Sequence, residues 1–162
     1  MASGDERASI PDEVDGTGLR VVVIRARWNQ DIVQRLVDGA RRGLIDLGVT
    51  EITEVSVPGC FEIPLAAKAV ALSGRADAII CVGAVIRGET THYELVSEGA
   101  AAGIMTTQLD TGVPVAFGLV TVENIEQALH RSEGPGGHNV GEESALVAIE
   151  MARLVHDWRP AG

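Results

Sequence analysis

The chain has 162 residues, 46% of them hydrophobic and only 3% aromatic, and its 13 basic and 23 acidic side chains leave a net charge of −10. A chain of this size fits one domain that buries roughly two-thirds of its unfolded surface, with no disulfide or metal needed for folding. The acidic balance argues against a nucleic-acid partner, which calls for a basic face. With no signal peptide and no apolar run near ~18 residues, a soluble cytoplasmic protein is expected and a membrane protein is not.

With so few aromatics, the core has to be built from Val, Ile, Leu and Ala, a composition suited to buried parallel strands under Ala-rich helices. Residues 1–18 hold Ser, Gly, Pro and several acids without periodicity and read as a flexible arm. That leaves 19–162 as the expected folded domain. Residues 19–26 contain the β-branched run Val21-Val22-Val23-Ile24, expected as a strand covered on both faces. Asn29 is placed to cap a helix reaching about Leu47, in which Ile32, Val33, Leu36, Val37, Ala40 and Leu44 recur at helical spacing. Gly48 stops it. Residues 52–57 alternate like a strand near a sheet edge. Pro58-Gly59 breaks that strand, and a helix with Pro64 near its first turn runs to Ser73-Gly74.

Residues 77–82, Asp-Ala-Ile-Ile-Cys-Val, are the third expected strand, and 83–92 is the turn that follows. A helix over 92–109 is expected to bury Leu95, Val96, Ala100 and Ile104. Its Gly99 and Gly103 permit close packing at some cost in helix stability. Residues 113–120 form the fourth strand, with Pro114 at its beginning. A short helix through His130-Arg131, a Gly-Pro-Gly-Gly breaker at 134–137 and a last helix over 139–158 complete the chain. The order β-α-β-α-β-α-β-α-α predicts an α/β three-layer sandwich, a four-stranded parallel sheet between two helical layers. The edges of so small a sheet invite cover from a partner chain or its arm.

Trp28, residues 59–62 and residues 83–92 each follow a predicted strand, and ligands collect at such carboxyl ends. Trp28 can stack on a heteroaromatic ring or simply pack. Glu62 can accept hydrogen bonds from hydroxyls or a ring N–H, or merely favour the first turn of a helix. The 83–92 stretch has neither the P-loop nor the dinucleotide glycine pattern. Its helix-start N–H groups and threonine hydroxyls nevertheless suit an anion, and His92 is the best general acid/base candidate. Arg131 can hold a phosphate bidentately or act as a cation near a helix C-terminus. Phe117 reads as strand core. His130, His138 and His156 lack metal-ligand spacing and are expected at the surface. Cys60 and Cys81 form no C-x-x-C and read as small hydrophobes. No G-x-S-x-G nucleophile is present. This inventory favours acid/base chemistry on a phosphorylated substrate, without covalent catalysis or a metal.

Four blocks occur in order: Ala26-Arg27-Trp28-Asn29, Val57-Pro58-Gly59-Cys60-Phe61-Glu62-Ile63-Pro64, Gly83-Ala84-Val85-Ile86-Arg87-Gly88-Glu89-Thr90-Thr91-His92 and Thr121-Val122-Glu123-Asn124-Ile125-Glu126-Gln127-Ala128. Together they resemble the 6,7-dimethyl-8-ribityllumazine synthase family of riboflavin biosynthesis. The resemblance implies a flavodoxin-like topology. It also implies condensation of 5-amino-6-(D-ribitylamino)uracil with 3,4-dihydroxy-2-butanone 4-phosphate, without a cofactor. By the same resemblance, Trp28 stacks on the pyrimidine, and Cys60, Phe61 and Glu62 hold the ribityl chain and ring edge. Ala84, Val85 and Ile86 line the pyrimidine site, Glu89 and Thr90 bind phosphate, and His92 transfers protons. Phe117 and Arg131 correspond to positions contributed by the adjacent subunit of a homo-oligomer, a pentamer or a multiple of it. Gly137-His138-Asn139-Val140-Gly141 stands where many relatives carry a lysine, and the Gly-Pro-Gly-Gly loop is slightly longer than in shell-forming relatives. The alternatives are a non-catalytic flavin-binding or shell-forming homologue, and the related archaeal-type riboflavin synthase.

Overall fold

The computed structural model describes residues 11, 12 and 14–161, so most of the arm expected over 1–18 lies outside the described residues. The elements are β1 (Arg20–Ala26), α1 (Gln30–Asp46), β2 (Glu51–Val57), a single 3-10 turn (Cys60–Glu62), α2 (Ile63–Leu72), β3 (Ala78–Ile86), α3 (His92–Thr111), β4 (Val115–Val122), α4 (Ile125–His130) and α5 (Val140–Asp157). The strands pair in the order β2-β1-β3-β4, and every pairing is parallel. The topology is the expected flavodoxin-like one.

The core splits in two because side chains alternate across a strand. Val21 and Val23 of β1 join Ile80 and Val82 of β3 beneath α1 and α5. Val22 and Ile24 join Ile79 and Cys81 beneath α2 and α3. A continuous apolar strand run therefore serves two layers at once. The layers differ in how closely their helices approach. A Cβ on Gly99 would lie 2.9 Å from Phe61 Cε2, and one on Gly103 would lie 2.6 Å from Pro64 Cβ. Those two glycines let the chain around Phe61 and Pro64 lie directly on α3, as their spacing predicts.

Three expectations need correction. First, β3 does not end at Val82. Gly83, Ala84, Val85 and Ile86 pair with Leu119, Val120, Thr121 and Val122 of β4, so the turn is confined to residues 87–91. Gly83 marks a close approach there, because a Cβ on it would fall 2.5 Å from Cys60 Sγ. Second, Asn29 makes no capping bond. It sits in the left-handed region at φ 60°, ψ 49°, a conformation that asparagine tolerates better than most residues, and its Nδ2 donates to Ala84 O at 3.0 Å. Third, Leu95 is 66% exposed, and Ala100, Ile104 and Thr107 are the buried residues of α3. Gly99, Ala100, Gly103 and Ile104 lie on the packed face, and Leu95 is turned outward.

Candidate active site

Three strand ends build one cleft of about 370 Å³, lined by Trp28 and Asn29 after β1, by residues 59–62 after β2, by Ala84, Val85 and Ile86 on β3, and by His92 and Val96 on α3. Its floor is the end of β3, where Ala84 and Val85 are buried. The extra length of β3 is thus what brings backbone and small side chains to the bottom of the cleft. Trp28 forms one wall with 74% of its surface open. Gly59 lies against that indole, since a Cβ there would meet Trp28 Cδ1 at 3.2 Å. Phe61 and Glu62, both exposed, stand on the 3-10 turn. An indole, a phenyl ring and a carboxylate around an apolar floor suit a flat heterocycle carrying polar edges.

Cys60 is buried in the same wall, and burial pushes its thiol up to about 11 against a compensating hydrogen bond from the Ala84 backbone. Burial likewise raises Cys81, which lies fully inside the sheet. Both cysteines are free. At neutral pH they are un-ionised fillers, and a thiolate nucleophile is absent from the cleft.

The anion turn adjoins the cleft. Thr91 caps α3 without a side-chain bond, and the His92 N–H donates to Thr90 Oγ1 at 3.3 Å. Of the other first-turn N–H groups of α3, that of Glu94 bonds its own carboxylate, and that of Tyr93 is left to a ligand or solvent. Arg87, Gly88, Glu89, Thr90 and His92 are all exposed. Any anion is met here by backbone N–H groups and the Thr90 hydroxyl, with His92 beside it. The Glu89 carboxylate repels an anion, so Glu89 can serve one only through its main chain.

Phe117 and Arg131 lie elsewhere. They line a second cleft of about 560 Å³ along the free edge of β4, together with Glu123, Gln127, Val140 and Glu143. Phe117 is 42% exposed, which corrects the strand-core expectation: it sits on an edge strand with no neighbour beyond it among the described residues. Arg131 Nη1 donates to Gln127 O at 3.0 Å, leaving the rest of its fork for other partners. Val140 lines the wall where the lysine of relatives was expected. His138 is partly buried rather than a surface residue, and its Nε2 lies 3.1 Å from Glu143 Oε1. Eight of the predicted residues thus share one cleft, Glu89 and Thr90 adjoin it, and Phe117 and Arg131 face away from it on the same chain. Asn29 was missed as a lining residue. Its only signal was the place directly after Trp28.

A parallel α/β sheet with a cleft at the carboxyl ends of its strands is the arrangement in which α/β enzymes hold small substrates. The sequence profile of the 6,7-dimethyl-8-ribityllumazine synthase family matches residues 18–156. A protein of Kineococcus radiotolerans named 6,7-dimethyl-8-ribityllumazine synthase is 48% identical over 159 residues, covering 98% of this chain and 97% of that one. The chain belongs to the 6,7-dimethyl-8-ribityllumazine synthase family.

Proposed function

We propose that the protein condenses 5-amino-6-(D-ribitylamino)uracil with 3,4-dihydroxy-2-butanone 4-phosphate to give 6,7-dimethyl-8-ribityllumazine in riboflavin biosynthesis. The observation that carries it is the meeting of Trp28, Glu62 and His92 around one cleft, beside the start of α3, where Thr91 makes no side-chain capping bond. The pyrimidine stacks on Trp28, with its edge toward Glu62 and its ribityl chain along Cys60 and Phe61. The ketone phosphate lies on the turn at Glu89 and Thr90. An amine of the first substrate attacks the ketone of the second and water leaves to give an imine, phosphate is then eliminated, and the second amine closes the ring with loss of a second water. His92 stands where a proton can be given to the departing phosphate and taken from the closing ring. Orientation of two small reactants can lower such a barrier by about 7–11 kcal/mol in favourable cases.

Among the described residues that line the Trp28 cleft there is no lysine or arginine for the dianion, and Arg131 supplies one only if a second protomer lends it. Exposed apolar groups on α3, the β4 edge and α5, including Met105, Phe117, Val147 and Met151, support such an assembly. A cyclic homo-oligomer, a pentamer or a multiple of it, completes each site with Phe117 and Arg131 of its neighbour. A cytoplasmic location belongs to the same proposal, as does a reaction needing neither cofactor nor metal.

Mixing both substrates with the purified protein tests this. Release of inorganic phosphate together with the absorbance of the lumazine is the expected result. A folded, assembled protein that yields neither leaves the non-catalytic flavin-binding reading in its place.

A further inference from the structure

Arg87 opens the anion turn, yet three of its neighbours already claim its guanidinium. Nη1 donates to Glu94 Oε1 in the first turn of α3. Nε donates to Glu123 Oε2 at 2.7 Å, just past the end of β4. The guanidinium carbon lies 4.2 Å from the centroid of the Tyr93 ring. Its backbone N–H donates to Val122 O at 2.9 Å, closing the last rung between β3 and β4. Two carboxylates on one cation leave little net charge for a phosphate dianion, so Arg87 is poorly suited as a direct ligand. About one-third of its side chain is exposed, and exposed ion pairs of this kind add little to folding stability. What the planar fork supplies is direction.

The bonds continue past Glu123. Its N–H donates to Gln127 Oε1 at 2.8 Å, the Gln127 N–H donates to Asn124 Oδ1 at 2.9 Å, and Arg131 Nη1 donates to Gln127 O at 3.0 Å. An unbroken set of hydrogen bonds therefore joins the anion turn at the start of α3 to Arg131 past the end of α4.

We propose that Arg87 is a positioning residue for substrate phosphate at two sites at once. It orients the 88–90 turn in its own protomer's site, and through Glu123 and Gln127 it sets the direction in which Arg131 is presented to the neighbouring site. This rests on the condensation and the shared sites proposed above, and it adds a coupling between adjacent sites that run on one network.

The test is steady-state kinetics on the assembled enzyme, with each substrate varied in turn. R87A is expected to raise KM for the ketone phosphate by about tenfold or more while KM for the pyrimidine stays within about twofold. R87K recovers only part of the loss, because one ammonium cannot hold both carboxylates and keep its place over Tyr93. E123Q, which spares the Glu94 contact, gives a smaller rise of the same kind. Combining R87A with R131A costs less than the product of the two single effects, since part of the work of Arg87 passes through Arg131. Native mass and thermal melting of each variant report folding and assembly, and if R87A fails to assemble, R87K and E123Q carry the comparison. An unchanged ketone KM, an equal rise in both KM values, full recovery in R87K, or strictly multiplicative losses in the double variant overturns the role while leaving the condensation intact. A wild type that turns over nothing removes the condensation, and this role with it.

Discussion

His92 faces two demands that a single side chain can meet only from the first turn of a helix. It has to sit within reach of a bound dianion, and it has to leave the helix N–H groups free for that anion. The imidazole is exposed at the lip of the cleft, and although the His92 N–H itself is taken by Thr90 Oγ1, the N-cap residue Thr91 makes no side-chain bond. Removing the group while keeping the cavity isolates its chemistry. H92A is expected to lower kcat by ~100-fold, the lower end of what acid/base groups contribute, with KM for the pyrimidine changed by no more than a few-fold. Single-turnover and steady-state rates check the split. A comparable loss in pyrimidine binding would make His92 a wall of the cleft, not its proton carrier. R131A gives the complementary signature, a raised KM for the ketone phosphate with little change toward the pyrimidine.

At the scale of elements, most of the architecture was legible because each strand carries its own signal. The run Val21-Val22-Val23-Ile24 could be buried only on both faces, and it is. The misjudged boundary was the end of β3, where Gly83 reads as a breaker in sequence but serves to admit Cys60 in space. Leu95 was misjudged for a related reason: glycine and alanine on α3 draw that face toward its neighbours and turn leucine outward. No local pattern reports how near a neighbouring element will come. The pairing of Arg20 with Asp77 was equally invisible, as the two are far apart in sequence. Asp77 opens the chain into β3, accepting from the Arg20 backbone at 2.7 Å and from two guanidinium nitrogens at 3.1 Å. The Arg20 side-chain bond holds the Asp77 carboxyl below its usual value of 3.8, against some burial. A carboxylate depressed on folding stabilises the native state above its unfolded pKa, and this contribution is lost as pH falls through the folded value. D77N is therefore expected to melt a few degrees below wild type at pH 7, and the gap should close as pH drops below about 3.9. Because this pair lies at the opposite end of β3 from the cleft, kcat should not change. Thermal melts across pH check it, and a gap that persists in acid would remove the ion pair as its cause.

At the scale of the molecule, the two clefts only make chemical sense as halves. The Trp28 cleft offers stacking, a carboxylate and a proton carrier. The β4-edge cleft offers an arginine and a phenyl ring among apolar groups open to solvent. Neither half holds a complete set of contacts for a ring and a dianion side by side. Arg131 cannot swing into its own protomer's Trp28 cleft and remain in the wall it lines. The proposed ring of copies would bring one cleft against the other, and each closed interface would hide apolar surface while building a site. Mixed assemblies test this sharply. H92A and R131A chains, assayed at a ketone phosphate concentration far below the raised KM of R131A so that each is nearly inactive alone, are unfolded together and reassembled in equal amounts. A site is whole only where a chain that keeps His92 meets a neighbour that keeps Arg131, each with a chance of one half. About one quarter of the sites should therefore recover wild-type turnover, a value set by the heterologous contact and not by the size of the assembly. Activity in the mixture that merely averages the two parents would place both residues in a site within one chain and end the shared-site reading, whatever the oligomer.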